Sequence, residues 1–549
     1  MSKYIFVCGG VMSGVGKGIA SASIGTILQS RGFKVTALKI DPYINVDAGT
    51  MNPTEHGEVF VLNDGTECDQ DMGNYERFLG LDLSGANYMT TGSIYLSVIE
   101  KERRLEYKGK FVSVVPYIPL EVISRIDKAA QKNKADIVIT EIGGTVGEYE
   151  NLLFLEAVKM LKIKKPNDVV LVLVSHLPLL GEGGNELKTK PTQHAVRALN
   201  SAGLQPDIII ARARVPVDKK RKEKIAFHCS MREQDVIAAP DIKSIYEVPI
   251  NFEKDKISDS LLEKLSLKPK HQDLGEWKKM VARITKAVKT VKIGIVGKYF
   301  GTGDYILADS YISVIEAVKH ASGYANLKPE ISWLNAEDFD PTINQDYKSN
   351  LKKLPKYDGV IVPGGFGSRG VEGKIKTIEF CRKNKIPFLG LCYGLQMALI
   401  EFARHVCELK NAQTTEVDPE TKYPVIHTML EQIENLNKKR LGGTMRLGSY
   451  TCELKPDTIA FRAYGGQKLI SERHRHRYEV NNEYREMLEE KGLVFSGVNP
   501  ERNLVEIIEL KDHPFFLGTQ FHPEFKSRPL APHPLFLEFI KAAGKNKNR

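Results

Sequence analysis

Short apolar runs recur along the chain at residues 4–7, 34–40, 136–140, 169–174 and 207–210, each followed by a Gly-containing turn and a helical pattern. Val- and Ile-rich runs of this length, alternating with helices, predict a parallel sheet covered on both faces. The alternation lapses over residues 257–289, a charged helical stretch carrying Trp277, which reads as a linker. It resumes at Lys292-Ile293-Gly294-Ile295-Val296-Gly297 and runs on through residues 359–365 and 387–389, so the C-terminal half forms its own α/β domain. Residues 409–440 are polar and helix-prone, as expected of an insertion. The predicted plan is a first domain over 1–268, a linker helix over 269–290, a second domain over 291–543 and a basic, disordered tail over 544–549.

Composition narrows this little. A chain of 549 residues exceeds what one core accommodates, and 42% hydrophobic with 27% charged residues excludes a disordered or fibrous class. No apolar stretch approaches a membrane span, and the chain runs directly into Tyr4-Ile5-Phe6-Val7, so a cytoplasmic protein without a membrane partner is expected. The seven cysteines form no C-x-x-C pair, which suggests neither a disulfide framework nor a zinc site. The net charge of +10 is diffuse, with local runs at Lys219-Lys220-Arg221-Lys222 and in the tail. Such runs read as solvated surface, and no nucleic-acid partner is expected.

Two distant segments carry complementary chemistry. Gly390-Leu391-Cys392-Tyr393-Gly394-Leu395-Gln396 lies between an apolar run and a helical pattern, which predicts Cys392 on a tight strand-to-helix turn. A helix N-terminus lowers a thiol pKa and offers amide donors to an oxyanion. In Gln520-Phe521-His522-Pro523-Glu524, His522 can take the thiol proton and Glu524 can orient His522. A lone cysteine is most often a small buried hydrophobe. The pairing with a late His-Pro-Glu resembles the class I glutamine amidotransferases, which release ammonia from glutamine through a thioester.

The first half offers an acceptor. Gly9-Gly10-Val11-Met12-Ser13-Gly14-Val15-Gly16-Lys17-Gly18 follows the first strand and opens a helix near Ile19, an arrangement that cradles phosphate. It departs from a standard phosphate loop in spacing and in placing Gly18 where Ser or Thr would bind a metal. Carboxylates must then hold the cation, and Asp71 and Glu141 are the candidates, with hard oxygens suited to Mg²⁺. Lys188-Thr189-Lys190-Pro191-Thr192-Gln193-His194, with Lys224 beyond the basic run, reads as an anion-binding loop or as a solvated charged face.

Over nearly its whole length the chain resembles the CTP synthase family. The resemblance rests on the Gly9–Gly18 loop, on Lys39-Ile40-Asp41-Pro42-Tyr43-Ile44-Asn45-Val46-Asp47, on His56-Gly57-Glu58-Val59-Phe60-Val61 and on Glu141-Ile142-Gly143-Gly144-Thr145-Val146-Gly147. In the second half it rests on Pro363-Gly364-Gly365-Phe366-Gly367 and on Glu472-Arg473-His474-Arg475-His476-Arg477-Tyr478-Glu479. It implies a P-loop-like, dethiobiotin-synthetase-like amidoligase domain with a parallel sheet, followed by a flavodoxin-like class I glutamine amidotransferase domain. The implied activity is ATP-dependent amination of UTP at C4, through a 4-phosphorylated intermediate, by ammonia from glutamine.

By resemblance, Gly14, Val15, Gly16, Lys17, Gly18, Ile19, Lys39 and Asp71 hold ATP, and Asp71 and Glu141 hold Mg²⁺. Ser13, Glu148, Tyr149, Glu150, Lys188 to Gln193 and Lys224 hold UTP, or CTP as inhibitor. Gly364, Gly365, Tyr393, Gly394, Leu395, Gln396, Glu416 and Arg477 hold glutamine, with the Gly365 amide in the oxyanion hole. His56 and Val59 line an ammonia passage, and Lys298 and Arg369 contact GTP as allosteric activator. Assembly as a homotetramer, a dimer of dimers, and further into filaments is also implied. The chain departs from the family at Tyr117, at Ser93 in place of Arg, at Glu148 in place of Asp, at Pro240-Asp241-Ile242, and in a long, Gly-rich stretch over 177–186. An amidoligase of the cobyrinic-acid amide synthase type is the alternative enzyme. A non-catalytic, filament-forming relative would be expected to lack Cys392, Lys17 or Asp71, all of which are present.

Overall fold

The computed structural model describes residues 2–180, 186–271, 273–298, 301–302, 305–306, 308–429, 432–433 and 442–546. Residues 181–185 of the Gly-rich stretch, residue 272 of the expected linker, 430–431 and 434–440 of the expected insertion, and 547–549 of the tail lie outside it. Two compact units emerge. The first comprises Met1–Ala48 and Asp71–Val281, and the second Gly49–Gln70 and Ala282–Arg549.

The first unit is built on seven strands: β1 (Lys3–Gly9), β2 (Val35–Asp41), β3 (Tyr88–Thr90), β4 (Ile137–Ile142), β5 (Val169–His176), β6 (Ile208–Ala213) and β7 (Val236–Pro240). They lie in the order β7-β6-β5-β1-β4-β2-β3, and every pairing is parallel. All seven residues of β2 and all six of β4 are buried, as a sheet covered on both faces requires. The chain first builds outward through β2 and β3, then returns to build the other side. That reversal beside β1 creates the crevice at the carboxyl ends of strands where ligands collect. Helix α1 (Lys17–Ser30) starts there, immediately after the glycine loop.

Trp277, in the expected linker, is buried, donates its indole N–H to the Tyr246 carbonyl at 2.8 Å and packs on Phe78 within this unit. Two departures from the family pattern also have local explanations here. Ser93 caps the helix Thr91–Arg103 together with Thr90, and Arg125 donates to its hydroxyl and carbonyl, so a guanidinium reaches residue 93 from another helix. Tyr117 stacks edge-on against Tyr107 at 4.9 Å.

The second unit carries strands β8 (Thr290–Gly297), β9 (Lys328–Asn335), β10 (Gly359–Val362), β11 (Phe388–Leu391), β12 (Arg446–Leu454), β13 (Leu469–His476), β14 (Leu493–Asn499), β15 (Leu504–Leu510) and β16 (Phe516–Thr519). Their order is β9-β8-β10-β11-β16-β15-β14-β12-β13, parallel from β9 to β16 and antiparallel beyond. Separate apolar cores cover the two faces. Within this unit the hairpin formed by Val59–Val61 and Glu67–Asp69 docks on β12 and β13. Arg475 donates to Glu67 at 2.8 Å, Arg473 to Asn63 at 2.6 Å and Ser449 to Asn63 at 2.8 Å, while Phe60 packs edge-on against Phe525.

Candidate active sites

In the second unit, β11 and β16 are parallel neighbours with Leu391 opposite Thr519. Their carboxyl ends therefore emerge side by side, and two segments 128 residues apart in sequence meet. Cys392 sits between β11 and helix α2 (Tyr393–His405) with φ 50° and ψ −99°, a strained position for a residue with a Cβ. Its amide donates to the Thr519 carbonyl at 2.6 Å, which pins the turn to β16. The flanking glycines have steric reasons. A Cβ on Gly390 would lie 2.8 Å from the Gly394 backbone, and one on Gly394 would lie 2.0 Å from the Val362 carbonyl oxygen.

His522 Nδ1 and Glu524 Oε1 are 2.7 Å apart. The buried His522 Nε2 faces the Cys392 sulfur, and a Cβ built on Gly364 would touch His522 at 3.0 Å and Cys392 at 3.9 Å. Burial alone would raise the thiol pKa, but His522 and His476 outweigh it and pull Cys392 down to about 6. Burial would lower the His522 pKa, but Glu524 and the thiolate raise it to about 10. Both shifts favour a resting pair of thiolate and imidazolium. At pH 7 about nine-tenths of a thiol with a pKa of about 6 is ionised, against about three parts in a hundred for an unperturbed one.

A cavity of about 990 Å³ opens on Cys392, lined among others by Gly365, Gln396, Glu416 and Arg477. Gln396 donates to the Tyr478 carbonyl at 3.0 Å, and its own buried carbonyl oxygen has no donor among the described residues. Glu416 accepts from the Gly367 amide at 2.6 Å, and Arg477 donates to Gln432 and Thr444. Tyr393 and Leu395 are buried in the first turn of α2, Tyr393 donating its hydroxyl to the Gly367 carbonyl at 2.7 Å.

In the first unit, Lys17 donates to the Gly144 carbonyl at 2.7 Å. Lys39 reaches Asp71 at 2.5 Å and Glu141 at 2.9 Å, with Asp41 at 3.7 Å. Burial raises the pKa of Glu141, whereas Lys39 overcomes burial at Asp71 and lowers it. A Cβ on Gly18 would lie 1.9 Å from Asp71 Oδ1, so the glycine is there because the carboxylate occupies the space of its side chain. The expected acidic ligand and the glycine that makes room for it are therefore one steric feature. Among the described residues no group of three or more His, Cys, Asp or Glu forms a metal cage. Two converging carboxylates nevertheless fit Mg²⁺, which takes one or two protein carboxylates and fills its shell with phosphate and water.

Residues 3–267 match the family "CTP synthase N-terminus" and residues 306–542 match "Glutamine amidotransferase class-I". The CTP synthase of Carboxydothermus hydrogenoformans is 52% identical, covering 99% of each chain. That of Caldanaerobacter subterraneus is 50% identical, covering 99% of this chain and 98% of the relative. The chain belongs to the CTP synthase family. A solved structure, the glutaminase domain of Trypanosoma brucei CTPS with bound acivicin, is 35% identical, covering 47% of this chain and 94% of that one at a TM-score of 0.42.

Against this CTP synthase framework the expected residues divide clearly. Cys392, His522, Glu524, Gly364, Gly365, Gln396, Glu416 and Arg477 come together in the second unit, and Gly14 to Ile19, Lys39, Asp71 and Glu141 in the first. Thr192 is buried and shares a hydrogen bond with Ser175, and Gln193 is buried with an unpaired carbonyl oxygen. Ser13, Glu150, Lys190 and Lys224 are exposed, Tyr149 is 89% exposed, and Lys188 pairs with Glu186 at 2.6 Å. Glu148 is turned back to accept from Thr145. His56 and Val59 fall in Gly49–Gln70, the segment that packs with the second unit.

Lys298, expected to contact GTP, is buried at the wall of the Cys392 cavity; its ammonium bonds the carbonyls of Phe366 and Gly367 and lies 5.2 Å over the Tyr393 ring, so in this conformation it braces the loop beside Cys392. Arg369 alone of the expected GTP pair is exposed.

Sequence reasoning missed four side chains. Arg212 lies 4.0 Å from a Cβ built on Gly16 and donates to the carbonyls of Ala239 and Pro240. Lys374 is wholly buried 4.9 Å over Tyr393 with no hydrogen-bond partner among the described residues, and burial lowers its pKa to about 7. Gln520 donates to the Cys392 sulfur at 3.7 Å. His476 lines the Cys392 cavity. For the last a signal existed: in the run from Arg473 to Arg477, strand alternation puts His474 and His476 on one face and the arginines on the other.

Proposed function

We propose that this chain is a glutamine-hydrolysing CTP synthase, a ligase that aminates UTP at C4 at the expense of ATP. The observation that carries the proposal is the coexistence, in one chain of this family, of the Cys392-His522-Glu524 cluster and the Lys17, Lys39, Asp71 and Glu141 cluster. In the glutaminase reaction the Cys392 thiolate attacks the glutamine amide carbon. The developing oxyanion lies toward the Gly365 amide, and His522 delivers its proton to the leaving ammonia. His522, less basic once the thiolate is consumed, then takes a proton from water, which opens the thioester to glutamate. Gln396, Glu416 and Arg477 supply an acceptor, an anion and a cation for the two ends of the amino acid.

In the ligase reaction a uracil O4 must first become a leaving group, so ATP phosphorylates it and ammonia displaces the phosphate. Lys17 and the α1 N-terminus hold phosphate oxygens, and Lys39 favours the ionised form of Asp71 and holds Asp71 and Glu141 close together. Mg²⁺ held by Asp71 and Glu141 would neutralise charge on the transferred phosphoryl group. Ser13, Gln193, Lys188, Lys190 and Lys224 hold the acceptor nucleotide, His56 and Val59 border the ammonia passage, and GTP activates the glutaminase with Arg369 as a contact.

A homotetramer is supported by exposed apolar side chains on one stretch of the first unit, Ile99, Leu105 and Phe111, the last 89% exposed. A cytoplasmic setting accords with the absence, among described residues, of any helix long and apolar enough to cross a membrane. The purified protein supplied with UTP, ATP, Mg²⁺ and glutamine should form a nucleotide with cytosine absorbance. Failure with both glutamine and ammonium salts refutes the assignment.

A further inference from the structure

A second imidazole stands beside the nucleophile. His476 closes strand β13, is 5% exposed and lines the same cavity as Cys392. Its Nε2 is 2.7 Å from Glu479 Oε1, and Arg446 donates to that oxygen at 3.1 Å and to Glu506 at 2.6 Å. Glu506 in turn lies 2.6 Å from His474 Nε2, and all five side chains are buried. One guanidinium faces two carboxylates, so the cluster without a further proton would carry a net negative charge in the interior, an expensive state. His476 is placed to supply the balancing charge. With Nε2 committed to Glu479, its Nδ1 is buried without a hydrogen-bond partner among the described residues, on a side chain that shares the cavity wall with Cys392.

We infer that His476 is a second catalytic histidine, an imidazolium that donates from Nδ1 to the Cys392 sulfur and keeps its proton while His522 exchanges its own. The charged groups facing it are Cys392 at the elbow, His522 after β16, Glu479 beyond the turn, Arg446 on β12, and His474 and Glu506 in the network behind. Burial disfavours its charge, but Glu479 and the thiolate prevail and raise its pKa to about 9, whereas burial lowers that of His474. The two histidines divide the work by their anchors. His522 has one carboxylate, Glu524, and loses its other anion when the thiolate is acylated, which frees its proton. His476 keeps the Glu479, Arg446 and Glu506 network throughout, so thiolate stabilisation survives each proton transfer.

The inference rests on the glutaminase reading, and its test is separable from it. In the intact enzyme, the rate of Cys392 alkylation by iodoacetamide is followed against pH for wild type, His476→Gln and Glu479→Gln, with ammonia-driven CTP formation as the control for folding. His476→Gln should raise the midpoint by about one unit, slowing alkylation at pH 6 about fivefold, with ammonia-driven turnover retained. Glu479→Gln, which spares the imidazole, should shift it in the same direction by less. An unchanged midpoint in a His476→Gln enzyme that still uses ammonia overturns the inference. A shifted midpoint in a protein that makes no CTP would leave the inference standing and refute the assigned reaction.

Discussion

Replacing Gly18 by Ala should disable the ligase site while stabilising nothing, contrary to what its helix would suggest. Gly18 lies in the first turn of α1, where Ala is better than Gly by up to about 1 kcal/mol, and local propensity alone predicts a more stable protein. The structure predicts the reverse, because the added Cβ would stand 1.9 Å from Asp71 Oδ1 and 2.6 Å from its carboxyl carbon. Ordinary contact requires the carboxylate to retreat by more than about 1 Å. Its other oxygen now lies 2.5 Å from Lys39 Nζ, and the retreat stretches that bond beyond useful length. Loss of one charge-assisted hydrogen bond costs about 1.5–3 kcal/mol, or roughly 10- to 150-fold in rate if felt in the transition state. CTP formation with glutamine and with ammonium chloride should fall together, while glutamine hydrolysis, seated in the second unit, persists. A Gly18→Ala enzyme with wild-type turnover and a raised Tm would refute the reasoning.

Three further outcomes follow from the same geometry. Cys392→Ala should abolish glutamine-dependent CTP formation and leave ammonia-dependent formation intact, and equal loss of both would contradict separate sites. Glutaminase activity should fall as pH drops through about 6, where the depressed Cys392 pKa returns the thiolate to thiol, and fall again as pH rises toward about 10, where His522 loses the proton it must deliver. An acid limb near 9, the position of an unperturbed thiol, would show that the imidazoles do not act on the sulfur. Lys298→Met should lower glutamine-dependent turnover at least several-fold without GTP, because the Phe366 and Gly367 carbonyls lose their cation, and should spare ammonia-dependent turnover. Loss of the GTP response alone would make Lys298 an effector contact after all.

The legible parts of this chain are those in which chemistry and backbone are local. The phosphate loop and the cysteine elbow each need a strand, glycines at set spacing and a helix start, and those requirements are written within ten residues. The His522-Glu524 pair, two residues apart, was equally readable. Lys298 was not, because nothing near it in sequence reveals that its ammonium turns inward to the Phe366 and Gly367 carbonyls. His476 sat in a segment that carried the family resemblance, yet its proximity to Cys392 depends on how β13 pairs with β12 at the sheet edge.

By itself, the sequence determined which backbone turns form and which side chains they present, since sterics at Gly390, Gly394 and the Gly14–Gly18 loop act over a few bonds. Tertiary structure alone decided which of these presentations meet. The parallel pairing of β11 with β16 brings Cys392 to His522, and the approach of Asp71 to α1 explains Gly18. Docking of the hairpin around Asn63 on β12 and β13 places His56 and Val59 with the second unit although the flanking chain belongs to the first. Strand order and docking are set by the burial of whole apolar faces, a sum over residues far apart in the chain. No local window of sequence contains that sum.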